Sequence, residues 1–288
     1  MKNIVIAIFI GVATIGHAQI KVEVITREYA FEKPGQNNVF QLSNVNGFIK
    51  VEVHDKDNFI LVARKELKAK TNERLALGMK EIGLSLLDRY DTLIVYSTSP
   101  CQTFTRHEEG SRRGYGYSYH NCESKYDFKI DMTLKVPRNA NLILRTVNKG
   151  DIEVKGVTGS INVRNINGAI LLDDVAGKIM ANTINGDVDV NYSSNPSADS
   201  RYYTLNGDIN ANFKAGLAAK ISFKSFNGEM YTNLPSLKTL PGEIQREEIL
   251  NGKGIKFKIE DRSIFQTRNG QVMLEFETFN GDAIIKEK

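Results

Sequence analysis

The stretch GDIEVKGVTGSINVRNINGAILLDDVAGKIMANTINGDVDV, residues 150–190, decides how the chain is read. Its glycines at 150, 159, 168, 177 and 186 stand nine apart. Apolar residues fill the third, fifth and eighth places of each nine, as Ile161, Val163 and Ile166 do. The third and fifth share one face of a strand, because side chains alternate along it. The eighth is out of phase with them, so the backbone must bend in between. Glycine supplies the left-handed conformation that such a bend needs. Asn-Gly is usually a hairpin turn. Here no partner strand of the right length lies on each side of it, and the corner of a repeating coil is the better reading.

Working outward, the pattern apolar, any, apolar, any, any, apolar, Asn, Gly returns before Asn46, Asn167, Asn185, Asn227 and Asn280. Asn206 fits it less well, with Ser200, Tyr202 and Leu205, and Asn148 has Lys149 inserted before Gly150. Fixed-period self-similarity of this size marks a solenoid or an array. Two nines make a coil of 18 residues, and the interval from Gly186 to Gly207 and on to Gly228 lengthens it to 21. The expected fold is therefore all-β: a parallel β-solenoid with about 18–21 residues per coil. Coils would stack about 4.8 Å apart. The apolar positions would fill a narrow interior. Asn46, Asn148, Asn167, Asn185, Asn206, Asn227 and Asn280 would form a ladder along one corner.

The flanks fit around this stack. Strand-like runs precede and follow TNERLALGMK, residues 71–80, which reads as one short helix with a Thr cap and a candidate lid for an exposed coil end. YDFKIDMTLKVP, residues 126–137, alternates as a strand, and PRNAN turns the chain into the first central coil. The expected organisation is a leader over 1–18, a β-rich segment over 19–136 with an insert at 97–126, and coils over 137–288 with an insertion near 235–254. All of this after the leader reads as one continuous domain. Whether residues 19–136 complete the solenoid or cap it stays open.

The chain opens MKNIVIAIFIGVATIGHAQI. Lys2, the apolar run Ile4–Ile15 and the small residues Gly16 and Ala18 make a secretory leader, with cleavage before Gln19. The run is too short to span a bilayer. The protein is expected to be exported, to the periplasm, the outer surface or beyond. A net charge of +4, spread along the chain, argues against a nucleic-acid partner. Two cysteines, Cys101 and Cys122, are most simply one disulfide in an oxidising compartment. With His107 and His120 they could instead ligate zinc, but the spacing lacks the close pairs of a zinc finger.

Between the cysteines lies RHEEGSRRGYGYSYHNC, residues 106–122. Arg112, Arg113, Tyr115, Tyr117 and Tyr119 give it the composition of a binding loop, a floppy partnerless loop being the plainer alternative. Asp151, Asp187, Asp208 and Asp282 follow the corner glycines; a Ca²⁺-binding row would need a different nonapeptide, so a solvated edge is the simpler reading. Asp173, Asp174, Asp187 and Asp189 are the nearest approach to the paired acids of a glycan-cleaving β-helix, and no pattern sets them apart. No triad, phosphate loop or dinucleotide fingerprint is present. No catalytic residue, metal site or cofactor is expected.

Residues 134–190 and the final LEFETFNGDAIIKEK, 274–288, resemble a widespread family of secreted bacterial proteins, the putative adhesins, whose domain is formally of unknown function. The upstream segment with TNERLALGMKEIGLSLL is similar too. The resemblance implies a β-helix-like fold and an adhesin-like role, and it brings no catalytic residues with it. The long insert carrying the cysteines and the extra Lys149 depart from it. The expected function is a secreted, non-enzymatic binding or structural module of the cell envelope that engages a protein or glycan. The alternatives are a periplasmic envelope-stress or sensory component bound to a membrane partner and, third, a polysaccharide-active enzyme.

Overall fold

A computed structural model of the protein describes residues 10–15, 18–107, 114–241, 244–249, 254–259 and 262–288. Residues 1–9, 16 and 17 of the expected leader lie outside these, as do Arg112 and Arg113. Among the described residues the chain is all-β with one short helix, and most strands join two mixed sheets of eleven strands each.

In the central stretch the chain alternates between the sheets. Ile152–Lys155 lies in the first, Ile161–Arg164 in the second, Ile170–Val175 in the first and Ile179–Asn182 in the second. Each pairs parallel, in register, with the strand one circuit later: Ile161 faces Ile179 and Ile170 faces Val188. Short β-branched runs suit this arrangement, because only their inward face is covered and two apolar residues per strand fill it. Ile152, Val154, Ile170 and Leu172 from one wall and Ile161, Val163, Ile179 and Ala181 from the other are buried. Each large side chain so buried contributes about 1.5–3 kcal/mol.

Upstream residues enter the same sheets. Val39–Ser43 pairs parallel with Asn141–Arg145, and Ile49–His54 pairs parallel with Ile152–Lys155. Asp127–Pro137 continues the first sheet beyond Ile49–His54, and Phe59–Ala69, Ala18–Tyr29 and Ile10–Ile15 follow it antiparallel. The helix Asn72–Glu81 sits at this end. Thr71 Oγ1 accepts the Arg74 N–H at 3.3 Å. The buried Lys65 donates to the carbonyls of Met79 (3.1 Å) and Ile82 (3.0 Å) at the helix C-terminus, and pairs with Glu23 at 2.5 Å. The helix presses so close to Phe59–Ala69 that a Cβ on Gly78 would lie 2.3 Å from Leu67 Cδ2.

At the other end the order departs from the sequence. The corner at Gly207 is expected to be followed by the one at Gly228. Instead Val272–Asn280 lies between Ser200–Asn206 and Ala219–Lys224, and Ala283–Glu287 lies between Ile209–Phe213 and Met230–Thr232. The C-terminal segment carries the same apolar spacing, so it offers the same inward face. Phe276 stacks on Tyr202 with ring centroids 4.8 Å apart. Antiparallel Ser263–Thr267 and Lys238–Leu240 close the second sheet beyond Ala219–Lys224.

Candidate binding surface

The Asn-Gly corner carries three columns of polar contacts. In the outermost, each asparagine Nδ2 donates to the Oδ1 of the next: Asn167 to Asn148 (2.7 Å), Asn185 to Asn167 (2.8 Å), Asn206 to Asn185 (2.9 Å), Asn280 to Asn206 (2.8 Å) and Asn227 to Asn280 (2.9 Å). Asn46 bridges to Asn148 through the backbone, and the side-chain column starts at Asn148. A second column lies inside, two residues earlier. Thr146, Thr183, Thr204 and Thr278 each donate their hydroxyl to a corner glycine carbonyl one coil away, at 2.8–3.3 Å. Asn165 does the same with its amide, to Gly150 at 3.1 Å.

The third column consists of the aspartates after the glycines. Asp151 Oδ1 accepts the Ala169 N–H, Asp187 that of Asp208, Asp208 that of Asp282 and Asp282 that of Glu229, at 2.8–2.9 Å. At this solvated edge the carboxylates also satisfy backbone donors that the bend would leave free.

A correction concerns the apolar residue just before each Asn, which the repeat pattern places inside. At the far bends Val157 and Val175 are buried. At the Asn-Gly corner the equivalent Val45 is buried and Val147 and Leu205 are half-buried, but Ile166, Ile184, Phe279 and Phe226 are exposed, Phe226 to 74%. They are neighbours in the stack: the backbone N–H of each following Asn bonds the apolar residue's carbonyl one coil away, from Val147 through Ile166 and Ile184, and again at Phe279. Phe226 and Phe279 stack almost parallel, with centroids 4.8 Å apart. Val147, Ile166, Ile184, Leu205, Phe279 and Phe226 thus form one apolar ridge beside the asparagines.

The cysteine-flanked insert is a hairpin, Gln102–His107 against Gly114–Tyr119, lying on the outer face of the second sheet. Cys101 and Cys122 are bonded, with Cα atoms 5.4 Å apart. Tyr117 turns its hydroxyl inward, donating toward Ser43 O (2.9 Å) and Ser97 O (3.0 Å) and lying 2.9 Å from Ser97 Oγ. Burial pushes this hydroxyl's pKa well above its ordinary value. The Tyr115 carbonyl accepts from Arg145 and from Gln41. Burial, with Arg164 nearby, pulls Arg145 down to about 10. Phe104 stacks on Tyr96 at 4.2 Å. Of the alternating tyrosines, Tyr117 anchors the hairpin, Tyr115 lies half-buried under the Arg89 side chain, and Tyr119 stands exposed.

The other candidates are engaged locally. His120 Nε2 lies 2.5 Å from Thr103 Oγ1. Asp173 pairs with Lys155 at 3.3 Å, and Asp189 accepts from Asn210 at 2.7 Å. Among the described residues no group of three His, Cys, Asp or Glu side chains is placed to hold a metal ion. No helix among them is long and apolar enough to cross a membrane.

No family model matches the chain, and no curated protein matches it. Among solved structures it is similar to a putative cell adhesion protein from Clostridium sporogenes ATCC 15579, at 11% identity and TM-score 0.43 over 91% of this chain and 99% of that one. It is also similar to a putative adhesin from Bacteroides fragilis NCTC 9343, at 12% identity and TM-score 0.36 over 92% and 97%. Neither likeness assigns a function.

Proposed function

We propose that this chain is an exported, non-enzymatic, adhesin-like module of the bacterial cell envelope, built as a parallel β-solenoid, that binds a protein or glycan partner. The leader 1–18 would direct export, and the Cys101–Cys122 bond suits an oxidising compartment. The observation that carries the binding role is the corner ridge. Single exposed apolar residues are ordinary, but a row of neighbouring apolar residues, four of them exposed and two of those stacked phenylalanines, is the mark of an interaction surface. The flanking carboxamides, which bond one another along the column, would give that surface a polar rim.

The test uses the labelled full chain with fractionated envelope of the producing bacterium and with foreign glycans and matrix proteins. Saturable binding is expected, and Phe226→Ser with Phe279→Ser should weaken it at least tenfold while leaving thermal unfolding nearly unchanged, since both rings are exposed. Retained binding in that double variant would remove the ridge from the account. Binding confined to the cell's own membranes would favour the second reading, a periplasmic sensory component docked on a membrane partner.

A further inference from the structure

A hollow of about 290 Å³ lies away from the ridge, at the C-terminal ends of the first-sheet strands. Its polar wall holds Asp173, Asn191, Asn212, Lys214 and Lys288. Tyr192 and Phe213 border it, but their rings turn inward and are buried in the core, stacked on each other with centroids 4.9 Å apart. The volume is at the small end for ligand pockets and suits one or two sugar rings.

The wall is held in place from behind. Asn212 Nδ2 donates to Asn191 Oδ1 at 2.9 Å, which orients both amides. That bond leaves the Asn191 amide hydrogens as donors and the Asn212 carbonyl as an acceptor. Asn195 clamps the Lys214 backbone from both sides, with Oδ1 accepting its N–H and Nδ2 donating to its carbonyl, each at 2.9 Å. The Lys288 N–H bonds Phe213 O at 2.9 Å, and its carbonyl accepts from Ala215 at 3.0 Å. Two lysines therefore start from fixed backbone beside the hollow, and both are exposed. Asp173, held toward Lys155, supplies a carboxylate acceptor in the same wall.

These groups divide by chemistry. The two ammonium groups and the Asn191 N–H donors favour an anion. The Asn212 carbonyl and the Asp173 carboxylate favour hydroxyl donors. We infer that this hollow binds an acidic saccharide, a sugar ring bearing a carboxylate, with the acid toward Lys214 and Lys288 and ring hydroxyls toward Asn212 and Asp173. The inference is independent of the ridge, whose residues it does not use.

The test is calorimetric titration of the full chain with tri-galacturonate, neutral tri-galactose and acetate. Saturable binding of the acidic trimer is expected, at least tenfold tighter than either control. Lys214→Gln should weaken it about tenfold, and Asn191→Asp, which keeps the shape and reverses the donor, should do likewise. Both positions are at the surface, and thermal unfolding of each variant checks its fold. Equal affinity for acetate would overturn the sugar half of the inference, and equal affinity for the neutral trimer the acidic half. Absence of saturable binding by the folded wild-type chain would overturn all of it. Unchanged affinity in the Phe226→Ser, Phe279→Ser variant is expected, which separates this site from the ridge.

Discussion

Gly186 shows what the corner demands of one residue. Its φ is +151°, and a Cβ there would lie 2.4 Å from the carbonyl oxygen of Gly168 in the neighbouring coil. The second constraint matters more, because Gly168, whose φ is not in the left-handed region, meets the same obstacle at Gly150 O, also 2.4 Å away. The requirement is close approach of coils, and conformation is secondary. Gly186→Ala should therefore cost about 3 kcal/mol or more, measured by denaturant unfolding. Gly216, at φ +91° with open space where a Cβ would stand, is the control and should cost about 1 kcal/mol. A second prediction concerns Tyr192 and Tyr202, whose hydroxyls meet at 2.5 Å inside the stack. Burial pushes Tyr192 up to about 12 and raises Tyr202 well above its ordinary value. Their folded-state pKa values lie above the ordinary 10, so the unfolded chain releases these protons first. Stability is whole below about pH 10 and falls as pH rises toward 12 and beyond. Tyrosinate absorbance should rise together with loss of strand signal; titration of all tyrosines before unfolding would contradict this.

At the scale of the element, the hairpin on the second sheet is the informative case. Its sequence has the composition of a recognition loop, yet two of its tyrosines are spent on docking. Tyr117→Phe removes the donor to Ser43 O and Ser97 O without changing shape, and should destabilise by about 1–2 kcal/mol. Hydrogen exchange should then quicken in Gln102–His107 and Gly114–Tyr119 before the sheets themselves are affected. Uniform quickening across both sheets would mean that the hairpin and the stack unfold as one unit. The helix is a different case. Its cap at Thr71 was legible because the residues that make it are local. The Lys65 ammonium that holds its other end comes from a strand, and no local pattern marks it.

At the scale of the whole molecule, the inserted C-terminal segment governs how the stack is completed. Asn280 bonds Asn206, 74 residues away, and accepts from Asn227, 53 residues away. Contacts so distant in sequence close late and slowly. Deleting residues 272–288 would strip partners from Ser200–Asn206 and Ala219–Lys224 at once and expose strand edges on both. The shortened chain should lose cooperative unfolding and aggregate, as judged by calorimetry and light scattering. A soluble, cooperatively folded product would show that the coil at Asn227 can stack directly on the one at Asn206.

The repeat in the sequence determined the all-β class, the alternate inward residues and the places of the Asn-Gly corners, because each follows from spacing along one coil. Ile161 and Val163 point inward wherever their coil is stacked. Three things were decided only by tertiary structure. Phe226 and Phe279 lie outside, as Ile166 and Ile184 do, although the same place in the repeat is buried at the opposite bends in Val157 and Val175. Asp187 and its equivalents serve backbone N–H groups of a neighbouring coil, and which coil is neighbour is not written in order of sequence. The final coil sits between two earlier ones because corners built alike accept one another in either order. Local spacing sets what a coil looks like; contact between distant coils sets which of them meet.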